Sequence, residues 1–366
     1  MNKTVNLSGE LKSPPDSLYQ WRIAEEPPFR YRVLHRIIVS TTYHLFRGQE
    51  DNNSIFFLIY KMEAFLFHTL AILLFYFFLI QINLSEYAFI GAVLFTLLPP
   101  LSLAYNVPVH TREDALAYCI LILGLLSIIK NKAFQILLFA IAGVLCRETL
   151  LLIPFVNLFF NKSQYIYTRL AIAAVTFAVF VGLRLYYGIE KYNYWEGFDW
   201  NTNNLEQVIG FAYLTFGFLW FPFFISFIEK KEDGILPRQL IYRSSLSVFL
   251  LVVFTTFLGG IFNEIRILYL LAPWVISIGL FYLNEHKVEV TSKLKSRNFQ
   301  LYASLLLMAI IAITIYGLAI VNKYFTSNYD IPYSTWIITL SIQSYLGLLC
   351  LPYFYNAIYQ KFKSMN

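Results

Sequence analysis

The stretch FAIAGVLCRETLLLIPF, from Phe139 to Phe155, sets Arg147 and Glu148 side by side in an otherwise apolar run. Burying such a pair costs several kcal/mol unless it faces water, a partner or a ligand. Two further stretches gather charge in the same way: His110, Arg112, Glu113 and Asp114 in YNVPVHTREDALAY, and Glu264 and Arg266 in FNEIRILYLLAPW. Arginines in a cavity roofed by apolar helices suit a phosphate, which they hold through charge-assisted, often bidentate bonds. Carboxylates beside them suit activation of a hydroxyl as general base. A phosphate-linked lipid donor needs both, together with an apolar groove for its tail. Each cluster also has a plainer reading: Arg147 and Glu148 pair with each other or with another helix, Asp114 starts a helix at a solvated turn, and Glu264 with Arg266 forms a helix-end pair.

Other chemistries lack their residues. No Gly-rich nucleotide loop, DxD or HExxH is present, and Cys119, Cys146 and Cys350 are too dispersed for a disulfide framework or a metal site. No cofactor is expected: the sequence indicates no metal ion or divalent cation, and no nucleic-acid partner.

The elements that position these groups are apolar helices. Of 366 residues, 58% are hydrophobic and only 14% charged, and the mean hydropathy is +0.58. A soluble domain of this size cannot hide so much apolar surface. Runs near the roughly 20 residues needed to cross a bilayer recur along the chain, without the alternation of a membrane barrel. Candidate spans lie at 54–81, 87–104, 114–129, 133–146, 149–160, 168–186, 205–228, 244–262, 265–284, 299–321 and 334–356. The expected fold is all-α, a polytopic transmembrane bundle of about 10–11 spans, with residues 1–53 as an N-terminal loop and 54–366 as one bundle domain.

Charge decides how the chain passes Arg147. If it turns there, Lys130, Lys132, Lys162, Arg169, the basic residues of the 230–243 and 287–297 connections, and Lys361 with Lys363 all fall on one side. The opposite side then holds, after residue 100, only Arg112, Arg147, Arg184, Lys191, Arg266 and Lys323. That is a positive-inside pattern, and a single helix through CRET would scramble it. A helical hairpin with its tip near the outer surface and a cytoplasmic C-terminus is expected. The aromatic loop 188–200 reads as a lid or an interfacial belt.

Residues 29–46, FRYRVLHRIIVSTTYHLF, have helical periodicity, with Val33, Leu34, Ile37 and Ile38 on one face and Arg32, His35 and Arg36 on the other. This is expected to be an amphipathic helix lying in the lipid interface and not a span. The plainer alternative is a surface helix whose basic residues snorkel. Counting spans back from Lys130 puts the basic N-terminal segment outside; if 87–104, interrupted by Pro99-Pro100, dips in and returns, the N-terminus is cytoplasmic instead. Nothing in the first 25 residues resembles the apolar core of a signal peptide.

Three features together resemble the GT-C superfamily of polytopic glycosyltransferases, in its bacterial mannosyltransferase-like and uncharacterised branches. They are PPFRYRVL (27–34), the RED and CRETLLLIP pair (112–114 and 146–154), and Glu264-Ile265-Arg266 followed by LLAPW. The resemblance implies a protein of the bacterial inner or plasma membrane with an outward-facing site. There a sugar passes from a polyprenyl-phosphate donor to a hydroxyl on a glycan, lipid or protein acceptor, usually with inversion. It places a catalytic carboxylate in the first outer loop, where Asp16 matches best and Glu25 and Glu26 are the alternatives. It assigns donor and acceptor binding to Arg30, Arg32, Arg36, His110, Arg112, Glu113, Asp114, Arg147, Glu148, Glu264 and Arg266. In that scheme Arg112, Arg147 and Arg266 hold the donor phosphate, while the carboxylates orient sugar or acceptor or position the arginines. The family has a span ahead of this loop and none is read before Asp16, so either a preceding helix is absent from this chain or the branch is rearranged.

Two readings from other classes use the same residues. A transporter or flippase of an anionic lipid or glycan would take an arginine cavity, with inverted repeats or broken helices; a non-catalytic subunit of a glycan-assembly complex would need neither. The side on which residue 16 lies discriminates early. In intact cells, a Ser17→Cys variant lacking Cys119, Cys146 and Cys350 is expected to react with an impermeant thiol reagent; labelling only after the membrane is opened would remove Asp16 from the site.

Overall fold

The computed structural model describes residues 31–46, 53–98, 113–189, 194–229, 236–259 and 265–285. Among these, every regular element is a helix: α1 (Val33–Phe46), α2 (Asn53–Gln81), α3 (Ala88–Leu97), α4 (Asp114–Ile129), α5 (Ala133–Cys146), α6 (Leu152–Phe160), α7 (Ile166–Tyr187), α8 (Tyr194–Asn203), α9 (Leu205–Phe216), α10 (Trp220–Glu229), α11 (Leu236–Gly259), α12 (Ile265–Leu268) and α13 (Ala272–Glu285). The spans expected at 299–321 and 334–356 lie outside the described residues, as does the C-terminal part of the 87–104 span.

Among the described residues, three segments are long and apolar enough to cross a membrane: Lys61–Gln81 in α2, Ile166–Tyr187 in α7 and Pro237–Leu258 in α11. Their outward faces are apolar as well. Leu58, Met62, Phe65, Leu66, Leu70, Leu73 and Phe77 form an exposed stripe along α2, and Leu246, Leu250 and Phe254 do so along α11. Stripes of that size mark contact with lipid or a partner and not with water. The opposite face of α2 packs inward through Ala71, Phe75, Phe78 and Leu79. α13 is buried on every side, and its Trp274 donates its indole N–H to Ser244 Oγ of α11 at 2.8 Å. An all-round apolar helix belongs at the centre of such a bundle.

Local chemistry explains the turns. Asn83 and Asn131 adopt positive φ, 68° and 54°, at the C-terminal ends of α2 and α4. The amides that follow reach back five residues, Leu84 to Leu79 O and Lys132 to Ser127 O. Asparagine is among the few L-residues that enter this conformation readily, and the geometry caps the orphan carbonyls. After α5 the chain leaves the helix at Arg147, whose backbone is extended, and makes a 3₁₀ turn over Glu148–Leu151 before α6. Pro154 fits the restart, because in the first turn of α6 its missing N–H costs no helix bond.

The chain does reverse at CRET. α5 and α6 pack against each other and against α4. Two glycines permit the approach: a Cβ on Gly124 would meet Ile153 side-chain atoms at 2.8–3.0 Å, and one on Gly143 would meet Leu150 Cβ at 2.9 Å. At one end of the bundle Cys146 Sγ lies 3.6 Å from Glu113 O. At the other end Asn131 Nδ2 donates to Ser163 O at 3.2 Å and Arg238 pairs with Glu285. Lys130, Lys132, Lys162, Arg238 and Arg243 therefore gather at one end and Arg147 at the other.

Other expectations need correction. The run 205–228 is not one helix: Gly217, at φ 53° and ψ −126°, separates α9 from α10, in a region that only glycine enters without strain. A 3₁₀ turn at Tyr269–Leu271 likewise interrupts 265–284. The two breaks meet, with the Phe216 and Tyr269 rings stacked at 5.9 Å and the Tyr269 hydroxyl donating to Phe95 O. Part of the aromatic loop 188–200 is helical, as α8. α1 buries its basic residues together with part of its apolar side: Arg32, His35 and Arg36 are buried beside Val33, Val39 and Tyr43, against α2 and α5, while Ile37 faces outward at 39% exposure. Arg32 and His35 meet carboxylates there, Glu113 with Glu148 and Glu63.

Close packing at the hairpin predicts that Gly124→Val destabilises the protein by about 1–3 kcal/mol, the usual cost of overpacking. Adding Ile153→Ala should recover part of the loss, as read from thermal unfolding in detergent.

Candidate functional site

Arg32 is the centre of the charged end of the bundle. It stands just before α1, and its side chain is only 7% exposed. Nη1 pairs with Glu113 Oε1. On the other edge of the guanidinium, Nη2 lies 2.9 Å from Glu148 Oε1 and Nε lies 3.3 Å from Oε2. One planar fork thus holds two carboxylates, one of them bidentately, which is the geometry guanidinium favours.

Three pieces of backbone meet to make this possible. Glu113 stands at the residue before α4 and Asp114 is its first residue, positions where the helix dipole favours negative charge. Arg147 and Glu148 sit in the α5–α6 turn, which the Gly143 approach holds down. Tyr31 fixes the approach of the α1 segment: its hydroxyl donates to Gly188 O at 2.8 Å, and the Arg184 guanidinium stands 4.7 Å from its ring centroid. Sequence reasoning passed over Tyr31 and Arg184. The signal available was the Tyr-Arg dipeptide ahead of the helix, with the lone arginine near the end of the 168–186 span.

Arg147 points inward. It is 1% exposed and pairs with Asp114, which is fully buried. The alternative in which Arg147 and Glu148 pair with another helix is therefore the arrangement seen, each through its own partner. Together the five groups are two guanidiniums, Arg32 and Arg147, and three carboxylates, Glu113, Asp114 and Glu148. Among the described residues no group of His, Cys, Asp and Glu is arranged to hold a metal ion; the guanidiniums supply the countercharge here.

Burial pushes the Glu148 carboxyl up, but the Arg32 guanidinium outweighs it through charge and hydrogen bonding and holds the group below its ordinary value of 4.5. Glu148 is also the member that reaches solvent, with 23% of its side chain exposed. It can therefore act as a charged acceptor or orienting group, while Glu113 and Asp114 are walled in.

A second polar contact lies between α1 and α2, where His35 Nε2 stands 3.9 Å from Glu63 Oε2 and both are buried. Arg36 is buried on the same helix. Asp16, Glu25, Glu26, Arg30, His110, Arg112 and Glu264 lie outside the described residues. Arg266 belongs to α12, but its side chain is not among those described.

No family model, curated protein or solved structure matches the chain.

Removing Arg32 strands two carboxylates, one of them fully enclosed. Arg32→Ala is expected to destabilise the protein by about 3–5 kcal/mol, whereas a Arg32→Gln/Glu113→Gln/Glu148→Gln triple variant, which removes the charges together, should lose much less. Acid adds a second test. Because Glu148 is held below 4.5, the stability from its pairing is complete above that pH and is lost as pH falls through the lower folded value. Glu148→Gln should therefore flatten the acid limb of thermal stability below pH 4.5.

Proposed function

We propose that this chain is a GT-C-type membrane glycosyltransferase, moving a sugar from a polyprenyl-phosphate donor to a hydroxyl acceptor on the outer membrane face. The observation that carries this reading is a convergence. Arg32 of FRYR, Glu113 of RED and Glu148 of CRET are 81 and 116 residues apart in sequence and share one guanidinium. These are the motifs on which the family resemblance rests, and a common site is a reason for them to meet. The polytopic arrangement of about 10–11 spans with a cytoplasmic C-terminus belongs to the same proposal. Gathering of Lys130, Lys132, Lys162, Arg238 and Arg243 at the end opposite Arg147 supports that orientation.

In this scheme Asp16 takes the proton of the acceptor hydroxyl, with Glu25 and Glu26 as alternatives. The hydroxyl oxygen then bonds to the anomeric carbon as the bond from that carbon to the phosphate oxygen breaks. Polyprenyl phosphate leaves, its growing negative charge met by Arg112 and Arg266. Arg30, His110 and Glu264 complete the donor and acceptor contacts. Arg147, turned onto Asp114, is a positioning residue that holds the start of α4 against the turn. Arg32 and Glu113 tie the first outer loop to the same point, and Glu148 presents its exposed oxygen to sugar or acceptor. Interrupted helices such as those at Gly217 and Tyr269 also occur in transporters, but here aromatic rings fill the junction.

Purified full-length protein is expected to turn over a radiolabelled polyprenyl-phosphate sugar. Asp16→Asn should lower the rate by about a hundredfold or more. Full activity in both Asp16→Asn and Arg147→Ala would end the scheme, and no turnover by the wild type would favour transport or a non-catalytic role.

A further inference from the structure

The basic end of the bundle holds a cavity of about 80 Å³ between the ends of α4 and α6 and the start of α11. Its polar wall comprises Asn161, Lys162, Ser163, Gln239 and Arg243. Ile128, Ile129, Phe160 and Leu240 supply apolar lining beside it. Two features make this more than a scatter of surface charge. Asn161, 5% exposed, is fixed by donating to Asn157 Oδ1 at 2.9 Å, while Asn157 donates in turn to Gln164 Oε1 at 3.2 Å. That buried amide chain holds the wall in shape. Lys162 and Arg243 are exposed, and among the described residues neither has a carboxylate partner: Glu285, at the same end, is engaged by Arg238.

The height of the cavity identifies the ligand's source. Ile166–Tyr187 and Pro237–Leu258 are two of the segments able to cross a membrane. The cavity is lined by Ser163, just before the first, and by Pro237, the first residue of the second. It therefore opens where hydrocarbon gives way to headgroups. An ammonium and a guanidinium over an apolar wall, at that level, match a phosphodiester with its acyl chains running down the bundle. We propose that this cavity binds the headgroup of an anionic phospholipid, with Lys162 and Arg243 as the charge-bearing contacts. The site is at the opposite end from the Arg32 cluster and does not depend on the catalytic proposal.

The test uses the full chain in mixed micelles containing phosphatidylglycerol or phosphatidylcholine, with inorganic phosphate as a third arm, reading apparent affinity from the rise in Tm. Wild type is expected to prefer phosphatidylglycerol on the order of tenfold. Lys162→Gln/Arg243→Gln should abolish the preference. Lys130→Gln/Lys132→Gln, at the same end but outside the cavity, should retain it. Equal response to both lipids overturns the proposal, and so does equal loss in the two double variants, which would reduce the effect to general surface charge. Stabilisation by inorganic phosphate matching that by phosphatidylglycerol would overturn the lipid assignment in favour of a soluble anion.

Discussion

The Arg32 guanidinium, wedged between Glu113 and Glu148, is the contact on which the arrangement of this end depends. An unpaired charge in so apolar a setting is far more costly than a lost packing contact. The segment before α1, the start of α4 and the α5–α6 turn must therefore arrive together or not at all. Arg147 and Asp114 repeat the constraint one residue along in each strand of chain. Tyr31 and Arg184 extend it to the end of α7. The rest of the bundle can then be read as the scaffold that keeps these few polar groups in register.

That scaffold is apolar on both sides. On α2 and α11 large apolar side chains face outward, and Leu79, Phe75 and Phe78 of α2 with Ile241, Val248 and Val252 of α11 fill the interior. α1 buries basic residues among apolar ones, because their carboxylate partners lie inside. The two ends also differ in kind. One carries charges neutralised inside the protein; the other carries Lys162 and Arg243 at its surface, with a shaped cavity beside them. A polar cluster closed by internal ion pairs suits positioning, and an open basic rim suits contact with phosphate-bearing lipid.

Much of the fold was legible from residue type. The 114–129 and 133–146 helices fall where apolar runs end at charged or asparagine-bearing turns, and both termini of each were read correctly. The hairpin at CRET followed from the distribution of lysine and arginine; in the structure the chain leaves the helix at the extended Arg147. The break at Gly217 was not legible, because hydropathy does not change across it and what permits it is backbone freedom at a glycine. At Tyr269–Leu271 the local signal is Pro273, which offers no N–H to the carbonyl of Tyr269; the stacking of Tyr269 on Phe216 is what only the fold supplies.

For the charged end, sequence alone determined that Arg147 and Glu148, set in an otherwise apolar run, had to find partners. It also determined that the chain reverses between the last two clusters. Which charge meets which was decided only by the tertiary structure. Arg147 and Glu148 are neighbours in the chain yet take separate partners, Asp114 and Arg32, since the extended backbone at Arg147 sends successive side chains to opposite sides. Arg32, read as one of the basic residues of an interfacial helix, meets two carboxylates more than eighty residues away in the chain. Pairing in an apolar interior is set by distance in space, and distance in space is what a linear pattern of residues does not contain.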